Sequence, residues 1–267
     1  MTKKSIGWLL CRPALLLAAG ILSFQPKPAK TWKLVWADEF NYSGLLDSSK
    51  WNYDTGGSGW GNHELEFYTS KRAENARVEN GHLVIEAIKE KWQNNNYTSA
   101  RLVTKGKGDW QYGKLEISAR LPKGIGTWPA IWMLATRDTM HWPSDGEIDI
   151  MEHVGFQHGY IHGSVHCSKY NHRIHTQKTD TIIVQDCSEK FHVYGLEWNA
   201  DSIQVSVDGA VYFRFANEHS GYSAWPFDNK MHLLLNLAVG GDWGGAKGID
   251  QDIWPQRMEV DYVRVYQ

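Results

Sequence analysis

From about Thr31 to the C terminus, no long segment of this 267-residue chain carries an apolar repeat of 3.6 residues. Short alternating segments recur instead, separated by Gly, Asn and Asp. The stretch "RVENGHLVIEA" sets Asn80-Gly81 between two strand-like runs, and "IQVSVDGAVYFRF" does the same with Asp208-Gly209. Both are hairpin signals, because the favoured two-residue turn needs positive φ at both central positions. Further strands are expected at 112–121, 191–198, 232–239 and 258–266. More than ten strands without helical partners predict an all-β domain over about 31–267, with two antiparallel sheets packed face to face.

Ahead of that domain, Lys3 and Lys4 precede an apolar run at 14–24, "ALLLAAGILSF". Its eleven residues suit the apolar core of an export signal and are too short to span a bilayer. We expect a signal peptide over about 1–25, a short linker at 26–30 and an exported protein. Cys11 leaves with the signal. Cys167 and Cys187 remain as a candidate disulfide, with two buried free thiols as the alternative.

Composition narrows the function. A net charge of -2 offers no basic field for a nucleic-acid backbone. The 14 tryptophans are too many and too large to be wholly buried. Partly exposed indole rings make flat platforms for flat, weakly polar ligand faces, such as the C–H face of a sugar.

The segment 146–154, "GEIDIMEHV", carries the chemistry. In a strand Glu147 and Asp149 share one face, and Ile148 and Ile150 the other. Glu152 falls on the wrong face of a regular strand. One extra residue, a bulge at Ile150 or Met151, brings it round to join the other two. Three aligned carboxylates with no Lys or Arg in the segment repel one another, so at least one keeps its proton well above the ordinary Glu value. Paired carboxyl groups with separated pKa values are what acid–base cleavage of a glycosidic bond requires. The Glu-x-Asp-x-x-Glu pattern arises by chance in roughly 1 in 20 chains of this size, so a solvated acidic face is the competing explanation. The apolar remainder of the strand, and Trp128, Trp132 and Trp142 just upstream, favour catalysis.

With these residues in view the chain resembles glycoside hydrolase family 16, in the bulged form of its laminarinase-like members. The likeness runs in order through "VWADEF" (35–40), "WGNHELEFYT" (60–69), "ENARVENGHLVIEA" (74–87), "YGKLEISARLPKGIGTWPAIWML" (112–134), "GEIDIMEHVG" (146–155), "NLAVGGDWGG" (236–245) and "MEVDYVRVYQ" (258–267). It implies a jelly-roll β-sandwich of two antiparallel sheets, concanavalin-like, with a concave substrate cleft. It implies retention of configuration, with Glu147 as nucleophile, Glu152 as acid/base and Asp149 between them to orient the nucleophile. Strand spacing alone does not show retention. Residues four apart lie about 13 Å apart at Cα, whereas a retaining pair needs carboxyl groups about 5–5.5 Å apart.

The same resemblance implies sugar-binding roles for Asn62, Glu64, Arg72, Trp128, Trp132, His166 and Trp243. The four glycines around Trp243 predict an exposed, sharply bent loop. It also implies a structural calcium ion at Glu39, Gly81 and Asp261 that takes no part in catalysis. No cofactor is expected for the reaction. The expected partner is β-glucan polysaccharide, with no nucleic acid or nucleotide, and the protein is expected to act as a monomer. Mixed-linkage glucan, agarose and carrageenan are the competing substrates. A non-catalytic glycan-binding module is the competing class, since it keeps the tryptophans but has no need of the three carboxylates. The series His158, His162, His166 suggests a metal site only on a helix, and Gly155, Gly159 and Gly163 argue against one.

Overall fold

The two hairpin turns form where the sequence places them. In a computed structural model, Asn80 and Gly81 have φ of 54° and 79°, and Asp208 and Gly209 have 50° and 79°. The first turn joins Ala76–Glu79 to His82–Trp92, and the second joins Ser202–Val207 to Ala210–Ala216. The structure describes residues 1, 2, 4 and 31–267, and the apolar run at 14–24 and the linker at 26–30 lie outside the described residues. No helix among the described residues is long and apolar enough to cross a membrane.

Residues Trp32–Gln267 pack as one unit built from two sheets. The ten-stranded sheet runs Ala210–Ala216, Ser202–Val207, His192–Trp198, Gly113–Arg120, Gln256–Tyr266, His82–Trp92, Asn95–Ser99, Glu66–Tyr68. Leu34–Asp38 and Ala76–Glu79 attach beside that path. The eight-stranded sheet runs Lys178–Ile183, Tyr160–His166, Glu147–Glu152, Thr127–Ala135, Met231–Val239, Arg101–Val103, Asn52–Asp54, with Asp109–Trp110 attached to Met231–Val239. Among these strands only Glu66–Tyr68 and Asn95–Ser99 pair in parallel.

Alternation along the strands makes the core. Leu115 and Ile117 belong to one sheet, and Ile131, Met133, Ile148, Leu233 and Leu235 to the other; all are fully buried in one apolar cluster. Each such side chain contributes about 1.5–3 kcal/mol relative to exposure. Met231–Val239 is buried at every position, as expected of an inner strand covered on both faces. That strand supports Thr127–Ala135, which in turn pairs with Glu147–Glu152. The carboxylates therefore stand on a stiff inner part of the sheet.

Candidate active site

The expected bulge is present. On one side, Met151 pairs with Ile131 and Asp149 with Trp132, so Ile150 has no partner of its own. On the other side, Asp149 pairs with Ser164 and Glu152 with His162, so Ile150 and Met151 together oppose Gly163. Both bulge residues are fully buried in the core cluster beside Ile148. Holding two consecutive apolar side chains inward is what returns Glu152 to the face of Glu147 and Asp149.

Each carboxylate has a defined neighbour. The Trp142 indole N–H donates to Glu147 Oε2 at 3.0 Å. The Trp128 indole N–H donates to Glu152 Oε1 at 3.2 Å. His166 Nε2 lies 3.3 Å from Asp149 Oδ2 and 3.8 Å from Glu147 Oε1. No Lys or Arg among the described residues forms an ion pair with the three. Burial pushes all three upward, each to about 8. After burial, the Asp149 charge is the largest cause for both Glu147 and Glu152. Such close groups titrate as a unit. The first to ionise holds the protons of the others, so the row gives up its protons in steps.

Aromatic rings wall the row. Trp128 and Trp132 are both half-buried on the same face of their strand. Trp243 meets Trp128 edge-on at 5.6 Å and His162 at 5.0 Å. The expected loop around Trp243 is a short helical turn, Gly241–Gly244. Its glycines let it press close: a Cβ at Gly241 would lie 2.9 Å from the Asn62 carbonyl, and one at Gly244 2.8 Å from Trp128 Cβ. At the other end Trp142 sits 4.9 Å from the His172 ring, with Arg173 stacked at 4.4 Å.

A hydrogen-bond chain joins the site to the strands beneath. Asn62 Nδ2 donates to Glu64 Oε1, and the buried Tyr68 hydroxyl donates to Glu64 Oε2, both at 3.0 Å. Asn236 Nδ2 donates to the Tyr68 hydroxyl at 3.1 Å, and Trp132 Nε1 to Asn236 Oδ1 at 2.7 Å. The backbone ties this segment to the Trp243 turn, with Asp242 N–H donating to the Asn62 carbonyl at 2.7 Å. Glu64 is also near enough to Glu152 for its charge to raise that group.

Sequence reading missed Arg101. Its guanidinium lies 4.7 Å from the Trp132 ring and 4.7 Å from Trp60, and its Nε donates to Asp54 at 3.1 Å. An arginine on a three-residue strand next to the inner strand was the only available signal.

Three groups end up elsewhere. Arg72 is not brought to the row. It grips Glu90, with Nη2 donating to Oε2 at 3.2 Å, contacts Asn75 and Thr98, and stacks on Trp92 at 4.8 Å. Cys167 and Cys187 are not joined: both are free buried thiols. Cys167 faces the Ala224 carbonyl and Cys187 the Ser188 hydroxyl, so core packing directs the two sulfurs to different neighbours. At the expected calcium position Arg264 holds the Glu39 carboxylate through two bonds of 2.8 Å. Asp261 keeps a half-exposed carboxylate, 3.4 Å from the Ser118 hydroxyl.

A β-sandwich with several carboxylic groups on one strand, walled by tryptophan and with no lysine or arginine counter-ion among the described residues, has the parts that glycoside hydrolysis requires. The family model for glycosyl hydrolases family 16 matches residues 63–264, and the chain belongs to that family. It is 54% identical over 246 residues to a beta-glucanase of Rhodothermus marinus, covering 89% of this chain and 86% of that protein. It is 38% identical to a glucan endo-1,3-beta-glucosidase of Cryptopygus antarcticus, covering 91% and 95%. The X-ray structure of the laminarinase from Rhodothermus marinus superposes with a TM-score of 0.87 at 53% identity, covering 89% of this chain and 98% of that one. The jelly-roll sandwich is thus the fold of this chain.

Proposed function

We propose that this protein is an exported, endo-acting hydrolase of β-1,3-glucan of the laminarin type, working as a monomer with retention of configuration. The observation that carries the proposal is the bulge at Ile150 and Met151, which gathers Glu147, Asp149 and Glu152 on one face. The choice of β-1,3 linkage is supported by the names of the relatives above. Export is supported by the charged start and the apolar run at 14–24.

The geometry divides the work. Trp142 holds Glu147 Oε2, leaving Oε1 to attack the anomeric carbon. Trp128 holds Glu152 Oε1, leaving Oε2 to carry the proton. In the first step the Glu147 oxygen bonds to the anomeric carbon as the glycosidic bond breaks. The Glu152 proton passes to the departing oxygen. In the second step Glu152 takes a proton from water, the water oxygen replaces Glu147, and the stereochemistry is restored. Asp149, between the two and facing His166, raises both neighbours by its charge, so it helps Glu152 keep the proton it delivers, while the Trp142 N–H and His166 favour the ionised form of Glu147. Trp128, Trp132 and Trp243 offer ring faces and edges to glucose units, and Asn62 and Glu64 offer hydrogen bonds to hydroxyls.

A calcium ion at Glu39, Gly81 and Asp261 belongs to the same proposal as a structural brace. Asp261, which is half-exposed and has Ser118 and His82 beside it, supplies the carboxylate. With its carboxylate held by Arg264, Glu39 supplies a backbone oxygen, as does Gly81.

The test is reducing-end release from laminarin, mixed-linkage glucan, agarose and carrageenan, with wild type and Glu147→Gln side by side. Release from laminarin by wild type alone is expected. Binding without release from any polymer would move the protein to the non-catalytic glycan-binding class.

A further inference from the structure

A second cluster of chemically able side chains begins one residue past the carboxylate row. His153 follows Glu152 directly and is fully buried. His158 caps the short turn Gly155–Gln157. Cys187, also fully buried, lies just beyond the strand Lys178–Ile183. One ligand atom from each converges, all three within 4.8 Å of one another. None of the three contributes to the carboxylate face, whereas His162 and His166 turn toward it.

Hydrogen bonding fixes the state of the rings. His158 Nε2 lies 3.1 Å from the Gln185 carbonyl, which only accepts, so Nε2 carries the proton and Nδ1 is a bare lone pair. That Nδ1 is buried and has no hydrogen-bond partner. A histidine that donates one N–H to a carbonyl and keeps the other nitrogen bare is arranged as metal-binding histidines are. His153 accepts the Gly159 N–H at Nε2 over 3.2 Å, and its Nδ1 is likewise buried and unpartnered. The same Gly159 amide also reaches Cys187. A thiolate at Cys187 takes that N–H and releases the His153 lone pair.

We propose that His153, His158 and Cys187 form a site for a borderline-soft divalent cation, zinc above all, with a water molecule as fourth ligand. Two imidazoles and a thiolate select such a cation over calcium or magnesium, which prefer oxygen. A tetrahedral shell with bonds of about 2.0–2.3 Å sets ligand atoms about 3.3–3.8 Å apart. The cluster therefore needs to contract by at most about 1.5 Å. On loading, the Cys187 S–H bond breaks, a sulfur–metal bond forms, and the proton leaves to solvent. The ion ties the segment after Glu152 to the turn carrying Gln185 and Cys187, and it also protects a thiol that has no disulfide partner.

Cobalt(II) is the probe, added to the reduced full chain. One cobalt per chain is expected, with a thiolate-to-cobalt absorption band that zinc abolishes. His158→Gln, a change at a partly open position, should weaken cobalt binding at least tenfold, and Cys187→Ser should lose the band. Cys167→Ser, which removes the other buried thiol, should keep it. Zinc should raise the melting temperature of wild type and of Cys167→Ser, and leave that of Cys187→Ser unchanged. A wild type with no band, or a band that survives Cys187→Ser, overturns the site.

Discussion

Two sets of carboxylates on the two sheets have opposite fates. On the ten-stranded sheet and its flanking turn, Arg77 pairs with Glu79 and Glu86 at 2.8 Å, and Arg72 clasps Glu90. Those arginines hold Glu79 and Glu90 below the usual carboxylate range. On the eight-stranded sheet Glu147, Asp149 and Glu152 have indole N–H groups and one histidine instead of arginines, and burial raises all three. The residue types are alike, but Glu79 and Glu90 stay partly exposed whereas the row is largely buried. Burial without a cationic partner turns what would be a stabilising ion pair into a reservoir of transferable protons, and that combination marks the working face.

The largest expected effect breaks the row at its nucleophile. Glu147→Gln should lower kcat by about 10⁴-fold and leave glucan binding intact. Reducing-end release together with calorimetric binding checks it, and near-normal turnover would remove Glu147 from the role. Glu90→Gln, the counterpart on the other sheet, should leave kcat unchanged.

Asp149→Asn comes next, with a loss of about 10²-fold in kcat. Its more telling effect is on pH. In wild type, activity should fall as pH rises through about 8, where Glu152 loses its proton. Removing the Asp149 charge lowers the pKa of Glu152, so the alkaline limb should move to lower pH. A pH–rate profile for the pair decides it, since a limb that stays in place contradicts the coupling.

Trp128→Phe removes the indole N–H that favours ionised Glu152. The alkaline limb should then move the other way, to higher pH, with a rate loss of about tenfold. Opposite shifts in the two variants would sharpen the division between charge and hydrogen bond.

The smallest effects concern stability, and they differ in sign. A raised carboxyl binds more protons folded than unfolded, so the row costs stability as pH rises from about 4.5 toward 8. Asp149→Asn should therefore stabilise the fold at pH 8 by about 1–2 kcal/mol. A lowered carboxyl such as Glu90 contributes above the unfolded value and loses that contribution as pH falls through its folded value. Glu90→Gln should destabilise at pH 7 by about 0.5–1 kcal/mol, discounted for partial exposure, with the difference fading in acid. Urea unfolding at the two pH values measures both.

Local signals were legible in the sequence. The Asn80-Gly81 and Asp208-Gly209 turns follow from backbone sterics, and the bulge followed from the mismatch between Glu152 and a two-residue period. The long-range partners were not legible. The Asn62–Glu64–Tyr68–Asn236–Trp132 chain joins segments more than 160 residues apart, and no local pattern encodes that meeting. Arg101 escaped notice for the same reason: its neighbours Trp60 and Trp132 reach it from opposite sides in sequence. The Arg72 pairing with Glu90 was not legible either, because Glu90 sits on a strand whose register only the fold reveals. Two cysteines and an oxidising compartment suggested a bridge, but spacing says nothing of direction, and the core turns Cys167 and Cys187 apart.

The central claim is that two carboxyl groups of one bulged row hold different roles, attack and proton transfer. Azide rescue tests it most directly. With Glu147→Ala and an activated aryl glucoside of laminaribiose, azide should replace the missing nucleophile and yield the α-glycosyl azide. With Glu152→Ala, azide should intercept the glycosyl-enzyme and yield the β-glycosyl azide. A β-azide from Glu147→Ala, or an α-azide from Glu152→Ala, would reverse the assignment.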